Sequence, residues 1–113
     1  DIKGIICPNV VSKLEKDAYH LYVIRLVPDL WTIDRNEFIE KLNSYGIGTS
    51  VHYKPVHLHS YYLKKYVFNK NDLLVAENFY NNVISLPIYP ELSREDMEYI
   101  IEVVLNIWSK YKK

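Results

Sequence analysis

Residues 33–46, IDRNEFIEKLNSYG, read as one helix with both ends marked. Asp34 stands where an N-cap accepts a backbone N–H, and Glu37, three residues on, completes a capping box. Ile33 and Phe38 have the spacing of a hydrophobic staple across that cap. Phe38, Leu42 and Tyr45 recur on one face, and Gly46 supplies the stop, so the helix spans about 35–45. A capped helix with a single apolar stripe needs a layer against which to bury it.

The flanking sequence offers that layer. Tyr19 to Val27, YHLYVIRLV, is almost continuous in β-branched, aromatic and aliphatic residues, which predicts a strand near 20–27 covered on both faces or nearly so. Arg25 interrupts it, either as a snorkelling edge residue, the preferred reading, or as a buried anion partner. After the helix, a second strand is expected over 49–53, ended by Pro55.

Further on, residues 58–66, with YYLKKY, read as a short helix or turn. Asn71 or Asp72 is expected to cap a helix striped by Ala76, Phe79, Tyr80 and Val83. A third strand follows near 83–88, with Pro87 confining it to an edge. Ser93 and Asp96 open a last helix over 94–110, with Leu92 and Met97 as staple. Its expected buried face is Met97, Ile100, Ile101, Val104 and Trp108, and its basic end suits the helix dipole. The expectation is a two-layer α+β domain: a short three-stranded sheet packed with helices.

Composition bounds the function. At 113 residues there is room for one core. Zero formal net charge gives no electrostatic footprint for nucleic acid or an anionic membrane. No apolar run reaches spanning length and no signal sequence opens the chain. The lone Cys7 has no internal disulfide partner, which fits a reducing cytoplasm. The start at Asp1, running straight into GIICPNVV, reads as the interior of a longer protein; a processed N-terminus is the alternative.

Chemistry concentrates in residues 46–62, GIGTSVHYKPVHLHSYY, which hold three of the four histidines. Three readings stand side by side. His52, Tyr53 and His57 can satisfy backbone groups at a strand end. His52, His57 and His59 can serve as three nitrogen ligands of a metal, although no carboxylate or cysteine lies nearby to complete the set. His52, Tyr53 and His57 can donate to an anionic or sugar ligand. Spacing alone does not rank the last above the first.

Four landmarks in order carry a resemblance: HLYVIR, the GI-T--HY-P-H block, SLP-YP-LS, and a terminal amphipathic helix. Together, from about Ala18 onward, they resemble the C-terminal domain of the DegT/DnrJ/StrS sugar aminotransferases, members of the aspartate-aminotransferase superfamily with the type I pyridoxal-phosphate fold. The sequence departs from the pattern at Asp17, where members often carry His.

The resemblance implies that residues 18–113 are the small C-terminal domain and residues 1–17 a lead-in from a large N-terminal domain. It implies transfer of an amino group, from glutamate, to a keto-sugar nucleotide, with pyridoxal phosphate as cofactor of the parent enzyme. The Schiff-base lysine, the acidic partner of the pyridine nitrogen and most of the phosphate cup would then lie upstream. No catalytic, cofactor-binding or metal residue is carried over onto this chain, and no cofactor is expected on it alone. His52, Tyr53 and His57 are matched to the substrate-side rim. A homodimer is implied, without nucleic-acid or membrane partners. The competing reading is a self-standing α+β interaction or ligand-binding module without enzymatic activity.

Overall fold

The computed structural model describes residues 2–9, 17–69 and 72–113. In chain order the elements are β1 (Ile5–Ile6), β2 (Tyr22–Leu26), α1 (Arg35–Ser44), α2 (Ser60–Lys65), α3 (Leu74–Asn82), β3 (Val83–Leu86) and α4 (Arg94–Tyr111). Short 3-10 turns occupy Pro28–Leu30 and Val56–Leu58. The strands form one antiparallel sheet in the order β1-β2-β3.

The α+β class and the strand near 83–88 are as read from the sequence, but the strand expected over 49–53 is replaced by one from the N-terminal segment. Residues 49–53 form no strand; they contribute one bridge, Ser50 opposite Ser85. Beyond Ser50 the backbone soon meets Pro55, which has no N–H for a ladder, and turns into Val56–Leu58. The strand on the other side of β2 is β1, with Ile5 opposite Leu26 and Ile6 opposite Arg25.

Residues directly opposite in an antiparallel pair share a face. Register places Ile5, Tyr22, Ile24, Leu26, Ile84 and Leu86 on one face, where α1 and α4 cover them. Phe38 and Leu42 of α1 and Val103, Val104 and Ile107 of α4 are buried in this layer. The capping box forms as expected: Glu37 N–H donates to Asp34 at 2.9 Å, and Asp34 N–H donates to Glu37 at 2.8 Å. Trp31 seals the layer, edge-on to Phe38 and Trp108, while its indole N–H donates to the Gly4 carbonyl at 2.7 Å. That bond ties the N-terminal segment to the core.

The opposite face carries Ile6, Val23, Arg25, Val83 and Ser85. Val83 and Ser85 are buried, whereas Arg25 and Ile6 are exposed. β2 is therefore fully covered on one face only. Arg25 projects to solvent, although from the central strand rather than from an edge.

Other local expectations shift for physical reasons. Tyr45 leaves the α1 stripe because the helix ends at Ser44; its carbonyl instead accepts the Tyr99 hydroxyl at 3.0 Å. Met97 and Ile101 lie on the exposed side of α4, whose buried stripe is centred on Val103, Val104 and Ile107. Ile101 and Leu105 instead line a groove of about 630 Å³ with Ile2, Ile5, Cys7 and Tyr22. Burial there, with the Cys7 thiol alongside, raises the Tyr22 phenol above its ordinary pKa.

α3 buries none of its residues, so Ala76 and Phe79 form an exposed stripe, and Val83 is buried as the first residue of β3. Asp72 does not cap α3; its carboxylate folds back to accept from the backbone and side-chain nitrogens of Asn69. Asn71, the other expected cap, lies outside the described residues. Among the described residues no helix is long and apolar enough to cross a membrane.

Candidate functional site

The segment 50–58 is held to the scaffold at two places. The first is the bridge to β3: Ser85 N–H donates to the Ser50 carbonyl at 2.8 Å, and Ser50 N–H donates back at 3.2 Å. His52, two residues on, returns to the same side as Ser50, diagonal to Ser85. The His52 Nδ1 and the Ser85 hydroxyl are 2.8 Å apart. Ser85 is only 4% exposed, so its hydroxyl needs this partner. Tyr53 follows with its ring edge-on to the His52 imidazole at 4.6 Å, and it is 75% exposed.

The second attachment is His57, on the Val56–Leu58 turn. It is 8% exposed, packs against the Phe68 ring at 5.7 Å and meets Glu77 of α3 through Nε2 at 3.0 Å. An ionised carboxylate only accepts, so Nε2 carries the hydrogen. His59 Nε2 donates to the Lys54 carbonyl at 3.3 Å.

The three histidines thus take three different partners. Among the described residues no group of three or more His, Cys, Asp or Glu side chains is placed to hold a metal ion. The sequence reading named His52, Tyr53 and His57 but missed Ser85 and Glu77, to which two of them bond. For Ser85 a signal existed: one hydroxyl inside the apolar strand VISL. For Glu77, on a helix without a buried face, no signal existed.

Pyridoxal phosphate requires a lysine amine at its aldehyde and a cradle of backbone donors for its phosphate. Among the described residues, Lys3, Lys54, Lys64, Lys65, Lys110, Lys112 and Lys113 are exposed, and the half-buried Lys41 lies over the Tyr111 ring. The first turns of α1, α3 and α4 each carry a carboxylate, which opposes a phosphate. The described residues do not fit the cofactor.

Comparison with known proteins agrees with the layout of strands, helices and HY-P-H block. The family model described as the DegT/DnrJ/EryC1/StrS aminotransferase family matches residues 1–105, and the chain belongs to that family. The match reaches further toward the N-terminus than the resemblance read from Ala18.

Among relatives, the chain is 40% identical over 107 residues to the spore coat polysaccharide biosynthesis protein SpsC of Bacillus subtilis, covering 94% of this chain and 27% of that protein. It is 33% identical over 103 residues to a UDP-4-amino-4,6-dideoxy-N-acetyl-beta-L-altrosamine transaminase of Campylobacter jejuni, covering 91% of this chain and 27% of the transaminase. Among solved structures, the PLP-form of the putative sugar aminotransferase Spr1654 from Streptococcus pneumoniae superposes with a TM-score of 0.82 at 31% identity, over 95% of this chain and 27% of that one. The chain therefore spans about a quarter of the length of the proteins it matches.

Proposed function

We propose that this chain is the small C-terminal part of a pyridoxal-phosphate-dependent aminotransferase that moves an amino group from glutamate to a keto-sugar nucleotide. The observation that carries this reading is the family match over residues 1–105, with the HY-P-H block intact inside it. On this reading residues 18–113 form the small domain, docked against a large N-terminal domain that holds the cofactor, its lysine and the phosphate cup. His52, Tyr53 and His57 belong to the substrate-side rim. The chain alone neither binds the cofactor specifically nor transaminates, in keeping with the exposed lysines and acidic helix starts described above.

The enzyme works in the cytoplasm, where an exposed free thiol such as Cys7 persists reduced. It acts as a homodimer. Support for a covering partner comes from the large apolar side chains Tyr61, Leu63, Val67, Val75 and Phe79, all left exposed to solvent.

The test pairs two samples. The whole polypeptide carrying this chain is assayed for transfer from glutamate to a UDP-linked keto-sugar; turnover that requires pyridoxal phosphate is expected. The chain of residues 1–113 is titrated with the cofactor and reduced with borohydride. Stoichiometric labelling of one lysine, or no turnover by the whole polypeptide on any nucleotide sugar, overturns the proposal.

A further inference from the structure

The hydrogen bonds of the HY-P-H block divide its two histidines into different tasks. His57 is buried, and Glu77 occupies its Nε2 at 3.0 Å. His52 is held at Nδ1 by the Ser85 hydroxyl at 2.8 Å, and among the described residues its Nε2 has no hydrogen-bond partner. The ring is also braced edge-on by Tyr53 at 4.6 Å.

Resting on the aminotransferase reading above, we infer that Ser85 is a positioning residue for His52: its hydroxyl donates to Nδ1 and so presents Nε2–H to an oxygen of the sugar-nucleotide substrate. His57 serves the same rim by holding its backbone to α3.

The chemistry runs from the strand outward. Ser85 is a buried hydroxyl in the strand VISL, on the face it shares with Val23 and Val83, where an apolar residue would gain more from burial. Its backbone is fixed on both sides, by β2 and by the Ser50 bridge, so the hydroxyl has few directions available. The neutral imidazole has one donor and one acceptor. A hydroxyl donating to Nδ1 makes Nδ1 the acceptor and leaves the hydrogen on Nε2. The outward nitrogen then suits a phosphate, hydroxyl or carbonyl oxygen, each of which accepts. Without Ser85 both tautomers and several ring rotations become available, and the donor is correctly aimed for only part of the time.

The experiment is a double-mutant cycle in the whole transaminase with Ser85→Ala, His52→Gln and the pair, using UDP-4-amino-4,6-dideoxy-N-acetyl-β-L-altrosamine with 2-oxoglutarate as probe. Ser85→Ala should raise the sugar-nucleotide KM by about five- to tenfold, the cost of one imperfect hydrogen bond, and leave the KM for 2-oxoglutarate where it was. The pair should be no worse than His52→Gln alone, because Ser85 acts only through that ring. Inhibition by UDP then locates the oxygen: weakened by Ser85→Ala, it lies on the diphosphate; unaffected, it lies on the sugar.

Ring-nitrogen NMR of His52 gives a readout independent of turnover. The parent should show the Nε2–H tautomer, and Ser85→Ala should show a mixture. Additive effects of Ser85→Ala and His52→Gln on KM, or an Nδ1–H tautomer in the parent, overturn the inference. Failure of the aminotransferase reading would instead appear as no turnover on any nucleotide sugar with the tautomer unchanged.

Discussion

Two regions of this chain are built on different principles. The layer of α1 and α4 on the sheet is closed by apolar side chains, with Ile24, Phe38, Leu42 and Ile84 all but inaccessible. The arm from residue 52 to 82 is closed by polar attachments: His52 to Ser85, His57 to Glu77, and the Asn69–Asp72 turn. Neither α2 nor α3 buries a residue, and Val67 is 98% exposed. The first region owes its shape to its own burial. The second presents aromatic and basic groups outward while a few hydrogen bonds hold its course, as suits the substrate-side rim proposed above.

The largest effect should separate the two regions directly. Phe38→Ala removes a fully buried ring packed edge-on to Trp31 and should cost about 3–5 kcal/mol of stability. Phe79→Ala, at 47% exposure on the arm, should cost less than about 1 kcal/mol. Urea unfolding of the two variants reads the difference; equal losses would mean that the arm belongs to the same cooperative core.

Gly4→Ala comes next. A Cβ at this position would overlap the Trp108 ring and crowd the Trp31 indole nitrogen, 2.8 Å away, whose N–H bonds the Gly4 carbonyl. Both rings are held in the core layer, so the overlap should cost about 1–3 kcal/mol. A thermal midpoint equal to that of the parent would show that the N-terminal segment is only loosely attached. Asp34→Ala follows: it breaks the capping box of α1 and should cost about 1 kcal/mol, with helical circular dichroism nearly intact below the transition.

These sites also mark how far the sequence could be read. The capping box, Phe38 and Leu42 were legible because a helix start and its stripe are local patterns set by hydrogen-bond geometry and periodicity. α4 was legible as a helix but not in its facing. It is apolar over more of its circumference than one layer covers, so composition did not separate Val103 and Ile107 from Met97 and Ile101. The strand expected over 49–53 was misplaced because that stretch and Ile5–Ile6 both carry β-branched apolar residues. Which one pairs with β2 depends on contacts across the fold, including the Trp31 bond to Gly4. The histidines were legible as a cluster by residue type alone. Their partners were not, since Ser85 lies 33 positions from His52 and Glu77 lies 20 from His57.

The smallest effect sharpens the comparison most. Glu77→Gln keeps the length and shape of the side chain, and its amide oxygen still accepts from His57 Nε2. Only the carboxylate charge is lost, at a side chain about one-third exposed, where water screens much of its contribution. Global stability should therefore fall by no more than about 0.5 kcal/mol. If the polar attachment is what holds the arm, the loss should appear locally. Amide hydrogens of α3, Leu74–Asn82, should exchange faster, because α3 has no buried stripe to keep it closed when its link to the Val56–Leu58 turn weakens. Amides of α1 should keep their protection, since their opening requires Phe38 and Leu42 to leave the core. Hydrogen exchange followed by mass spectrometry resolves the two helices in one sample. Faster exchange in both, by the same factor, would mean that arm and core open together and that the division between a self-buried layer and a hydrogen-bonded rim is wrong. Faster exchange in α3 alone would place the rim among the low-stability parts of the fold, free to adjust to a ligand without cost to the core.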